Sequence, residues 1–90
     1  MGKVVVTYKI FPIDIDVNFD KLKQTVQKQL PKYAKIYGYA TEPIAYGLNA
    51  LIAHIILPEN MPGALEQLEQ TLQNLKEISQ IQPIMVRKTR

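Results

Sequence analysis

Residues 46–57 read Tyr46-Gly47-Leu48-Asn49-Ala50-Leu51-Ile52-Ala53-His54-Ile55-Ile56-Leu57, and the way this run is entered decides the fold. From Leu48 to Leu57 it is a long apolar, β-branched stretch with the character of a strand. Upstream, from Ile36, an aromatic and β-branched stretch passes through Thr41-Glu42-Pro43 and meets it at Tyr46-Gly47, which predicts two strands joined at or near Gly47. Downstream, Pro58 to Pro62 marks a boundary. Leu65, Leu68, Leu72 and Leu75 then recur at spacings of three, four and three, an amphipathic helix with Pro62 placed for its first turn. Two heptads are too few for a coiled coil, so the stripe is read as facing a core.

The N-terminal half repeats this logic. Val4, Val6, Tyr8 and Ile10 point one way and Lys3, Val5, Thr7 and Lys9 the other, which is strand alternation ended by Pro12. Phe19, Leu22, Val26 and Leu30 form a helical stripe, with Asn18 as its N-cap and Pro31 placed to stop or kink it. The last segment, Ile81 to Thr89, alternates loosely and contains Pro83, which a strand tolerates mainly at a sheet edge. The order is therefore strand, helix, strand, strand, helix, strand. A split βαβ unit used twice gives an α+β, ferredoxin-like sandwich: a four-stranded antiparallel sheet with both helices on one face.

Composition fits a single domain over residues 1–90. A chain of 90 residues with 47% hydrophobic content supports one packed core, and 21% charged residues argue against disorder. No apolar run approaches the roughly 20 residues that span a bilayer, and no secretory signal pattern opens the chain, so a cytoplasmic location is expected. The absence of cysteine rules out disulfides and thiolate metal sites. The net charge of +3 is concentrated in residues 1–50, where Lys21, Lys23, Lys28, Lys32 and Lys35 surround the first helix. A solvated helix face accounts for them.

Covalent chemistry finds little support. His54 is the single histidine, set in the most apolar segment with no second histidine or cysteine to join it, and reads as structural. Asp14 and Asp16 lie in a loop without a partner base or a glycine-rich phosphate cradle, and read as solvated loop acids. Tyr46 is the side chain that stands out, a large aromatic between small residues at a strand junction. It could protrude, but composition alone favours inward packing with its hydroxyl satisfied. The basic ending Val86-Arg87-Lys88-Thr89-Arg90 reads, by itself, as a frayed terminus.

Three segments carry a family resemblance: the opening strand Val4 to Pro12, the junction Glu42-Pro43-Ile44-Ala45-Tyr46-Gly47-Leu48, and the closing Val86-Arg87-Lys88. Over its whole length the chain resembles the archaeal elongation factor 1-beta family and the C-terminal domain of its eukaryotic counterpart. The resemblance implies a guanine-nucleotide exchange factor, not an enzyme of covalent chemistry. It implies no cofactor, nucleic acid or membrane, and one partner, the GTPase elongation factor 1-alpha. It further implies that Tyr46, flanked by Ile44 and Gly47, stands where the family's junction aromatic enters an apolar pocket of the GTPase. Lys88 corresponds by register to the near-terminal lysine that reaches towards the magnesium, with Arg87 as a substitute. Departures from the family pattern are the Tyr46 hydroxyl, Asn49-Ala50 in place of paired lysines, and Thr89-Arg90 beyond the reactive position. Ring and lysine are expected to act jointly, presented on one surface.

An RNA-binding module on the same scaffold is the main alternative, since exposed aromatics on such a sheet can stack bases. The run Leu48 to Leu57 offers no Phe or Tyr for that purpose, and no strand carries the motif of such domains. A ligand-sensing oligomer that pairs sheet edges is a third reading.

Overall fold

The computed structural model describes residues 2–89. The elements follow as β1 (Lys3–Pro12), α1 (Phe19–Gln29), β2 (Lys35–Pro43), β3 (Asn49–Pro58), α2 (Ala64–Gln73) and β4 (Ile78–Thr89), with a single 3-10 turn, Ala45–Gly47, between β2 and β3. All strand pairs are antiparallel, in the order β2-β3-β1-β4. The two most apolar strands therefore occupy the centre, and Pro83 lies on an edge strand where its missing N–H is harmless. This is the ferredoxin-like sandwich that the sequence pattern predicts.

Alternation on the central strands builds the core. Val6, Tyr8 and Ile10 of β1 and Leu51, Ala53, Ile55 and Leu57 of β3 share one buried cluster with Leu22 and Val26 of α1 and Leu68 and Leu72 of α2. Both helices thus cover the same face of the sheet. Each fully buried aliphatic or aromatic side chain contributes about 1.5–3 kcal/mol, so this layer dominates stability. Tyr8 brings a phenol into it, satisfied by donating a 3.0 Å hydrogen bond to Glu69 Oε2 of α2. Burial first, then the hydrogen bond to Glu69 and its charge, push the Tyr8 phenol far above the ordinary tyrosine range.

Helix boundaries follow local chemistry. Asn18 Oδ1 accepts hydrogen bonds from the N–H groups of Asp20 (2.9 Å) and Lys21 (3.2 Å), the expected N-cap. The helix ends at Gln29, since Leu30 precedes proline and takes extended backbone (ψ 143). The second helix departs from the expected register. It starts at Ala64 behind Gly63, whose φ of 80 turns the chain, and Pro62 stays outside it. Its buried stripe is Ala64, Leu68 and Leu72, while Leu65 is exposed and Leu75 lies past the end, packed partly against the core.

The helix-free face of the sheet is not simply polar. Val5 and Thr7 are buried there, and the Thr7 hydroxyl lies 2.8 Å from Nδ1 of half-buried His54 across the β1–β3 pair. His54 is thus held by a cross-strand contact, as the structural reading expects. Lys9 of β1 pairs with Glu42 of β2 at 2.9 Å over the same face.

Strand direction sets what each end of the sheet displays. The β2–β3 hairpin and the β1–α1 loop share one end, where Ile10 pairs with Leu51 and Ile81. The start of β1, the end of β3 and the end of β4 share the other, where Lys3 pairs with Pro58 and Thr89.

Candidate partner-binding site

The β2–β3 ladder ends at the pair Pro43 and Asn49, and the residues between them close on themselves. The Ile44 N–H donates to the Leu48 carbonyl at 2.8 Å, and the Leu48 N–H donates to the Ala45 carbonyl at 3.2 Å. So tight a reversal forces left-handed backbone at its apex. Gly47 adopts φ 75 at little steric penalty, but Tyr46 beside it also sits left-handed, at φ 62 and ψ 34. Among the described residues it is the one non-glycine with positive φ. For a residue with a Cβ this costs about 1–2 kcal/mol.

That strain gives Tyr46 no contact with its own fold, because the residue is 96% exposed. The flanking Ile44 and Leu48 are half-buried instead. The inward packing that composition favours is therefore corrected: the neighbours of Tyr46 take up the apolar contacts, and the ring projects from the apex.

Two further apolar residues, absent from the sequence reading, stand at the same end. Ile13 (55% exposed) and Ile15 (68% exposed) lie in the β1–α1 loop. Ile15, Phe19, Gly47 and Asn49 border a shallow cavity of about 280 Å³ between that loop and the hairpin. The signal was present, since two isoleucines belonging to neither the strand nor the helix period have no core to enter. Asp14 and Asp16 shape this loop, with the Asp16 N–H donating to Asp14 Oδ1 at 2.8 Å, in accord with their reading as loop acids.

The basic residues lie elsewhere. Lys88 pairs with Val4 and Arg87 with Val5, so the two point to opposite faces of β4, Lys88 to the helix side and Arg87 to the open side. The strand runs on to Thr89 opposite Lys3, which corrects the expectation of a frayed end; Arg90 lies outside the described residues. The Lys88 ammonium sits 3.1 Å from Glu59 Oε1, just beyond β3.

Tyr46 and Lys88 consequently occupy opposite ends of the sheet. Lys88 is level with Val4 and Leu57, and Leu57 lies eight residue steps along β3 from Asn49, a span of about 26 Å at about 3.3 Å per residue. The long axis of the molecule, 42 Å, accommodates this. The expected shared surface is therefore corrected to two separate ones, an apolar tip and a basic end.

Residues 5–89 match the family model of the EF-1 guanine nucleotide exchange domain. The chain belongs to this family. Relatives of this exchange domain include the elongation factor 1-beta of Staphylothermus marinus, 43% identical over 82 residues that make up 91% of each chain. Those of Sulfurisphaera tokodaii and Saccharolobus solfataricus are each 42% identical over 79 residues, 88% of this chain and 87% of theirs. In fold alone, the exchange domain is also similar to the C-terminal domain of the MgtC protein from Mycobacterium tuberculosis, with a TM-score of 0.63 at 14% identity over 91% of this chain and 85% of that one.

Proposed function

We propose that the protein accelerates GDP release from elongation factor 1-alpha, with Tyr46 seated in an apolar pocket of that GTPase and Lys88 approaching its magnesium site. Family membership supports the activity. The observation that carries the residue assignment is Tyr46, held left-handed at a hairpin apex with its ring in solvent. Ile44 and Gly47 form the mount, one anchoring the loop and the other allowing its reversal.

Magnitudes argue for two contributions. A GTPase that holds GDP at about nanomolar affinity binds it by about 12 kcal/mol, and a thousandfold faster release needs about 4 kcal/mol of that removed. Burying one aromatic ring supplies about 1.5–3 kcal/mol, short of the requirement. An ammonium brought to the metal site adds the rest by opposing Mg²⁺ and engaging its acidic ligands, which loosens the clamp on the phosphates. Lys88 suits this better than Arg87, being a compact charge on a flexible stem. Because the two side chains stand at opposite ends, the factor bridges two surfaces of the GTPase: the tip secures the complex while the basic end perturbs the metal. Linkage makes the effect reciprocal, so fresh nucleotide entering the GTPase releases the factor.

The RNA-binding alternative gains nothing from β3, whose open face offers Ala50, Ile52, His54 and Ile56 rather than aromatics. Among the described residues no helix is long and apolar enough to cross a membrane. The deciding experiment follows release of a fluorescent GDP analogue from elongation factor 1-alpha. Acceleration by the wild type, loss of most of it in Lys88→Ala, and antagonism by added Mg²⁺ are the expected results; release rates indifferent to Mg²⁺ would remove the electrostatic account.

A further inference from the structure

Glu59 touches the proposed site without belonging to the family motifs that pointed to it. Its backbone N–H donates to the Gly2 carbonyl at 3.2 Å, tying the chain beyond β3 to the start of β1. Its side chain lies so close over Gly2 that a Cβ there would displace the carboxylate from this position. The seated carboxylate places Oε1 3.1 Å from Lys88 Nζ. Exposure is unequal, 31% for the Glu59 side chain against 79% for Lys88, so the acid is the more covered partner of the pair.

We propose that Glu59 parks the Lys88 ammonium in the free factor, and that engagement hands it from Glu59 to the carboxylates of the GTPase metal site. This rests on the function proposed above and adds its regulation. One carboxylate contact is exchanged for others of the same kind, so the transfer is reversible and leaves no cation stranded. An exposed pair of this type shifts an equilibrium by about 1.5- to 5-fold, enough to compete with the partner yet readily broken on encounter.

The test measures GDP release against factor concentration for the full chain at low ionic strength. Glu59→Gln should lower the half-saturating concentration by about 1.5- to 5-fold with little change in maximal rate, and the gain should vanish near 0.5 M salt, where exposed charges are screened. Gly2→Ala, which pushes the carboxylate off its seat, should act in the same sense and serves if Glu59→Gln folds poorly. In a Lys88→Ala background Glu59→Gln should change nothing, because its effect passes through the ammonium. An equal gain in that background, or no gain in the wild type while Lys88→Ala loses exchange, overturns the parking role and leaves the function of Lys88 standing. A Lys88→Ala variant as active as the wild type overturns both.

Discussion

Replacing Tyr46 by alanine tests the proposed role of the ring with little disturbance of the fold. With 96% of the residue already in solvent, the folded protein gives up almost no burial, and the left-handed backbone is equally awkward for alanine. The stability change should stay within about 0.5 kcal/mol, as for other exposed sites. For a domain of this size that is a shift in Tm below about 4 °C. In the proposed complex the same ring is buried, and losing about 1.5–3 kcal/mol of binding should lower kcat/KM for exchange by about 10- to 150-fold. Stopped-flow release of fluorescent GDP, run beside thermal melting monitored by circular dichroism, reads both quantities. Exchange reduced by less than threefold would remove the ring from the site, and a Tm that falls in step with activity would show it to be part of the fold; either result refutes the assignment.

The other expectations concern the scaffold. Gly47→Ala meets open space but forces a Cβ at φ 75, so it should cost about 1 kcal/mol and lower Tm by about 4–8 °C, with exchange reduced as the apex reshapes. Asn18→Ala removes the acceptor for two helix N–H groups and should cost about 1 kcal/mol by urea unfolding without altering exchange at saturating factor. Tyr8 governs alkaline stability. Its phenol ionises near pH 10 when unfolded but well above that when folded, so the unfolded state binds fewer protons above pH 10 and stability falls there by about 1.4 kcal/mol per pH unit. Tyr8→Phe should flatten that slope in pH-dependent unfolding, leaving the smaller share from Tyr39, whose phenol is also raised by burial.

Most of the architecture was legible because its signals are local and periodic. Val6, Tyr8 and Ile10 alternate, Leu22 and Val26 lie four apart, Asn18 caps, Pro31 stops and Pro83 marks an edge. What escaped depends on backbone geometry or on partners distant in sequence. Residue type says nothing of the left-handed backbone at Tyr46, and Gly63 rather than Pro62 set the phase of the second helix, turning Leu65 outward. The contact of Glu59 with Lys88 joins chain segments that only the sheet brings together. The separation of Tyr46 from Lys88, by contrast, was implicit in the topology. In this strand order the hairpin between the second and third strands and the end of the fourth must face opposite ways.

That separation makes the sheet a ruler. Its graduations are hydrogen-bonded pairs, with one-residue bulges at Tyr37, Ser79 and Ile84 absorbed locally, so an unmatched residue bends one strand while lengthening the whole sheet takes insertions in all four. Any protein gripped at both ends simultaneously must hold its own two contact points at that fixed spacing. A gauge of this rigidity binds most tightly the shape of its target that happens to fit, and so biases the target towards that shape before any charge or ring has acted.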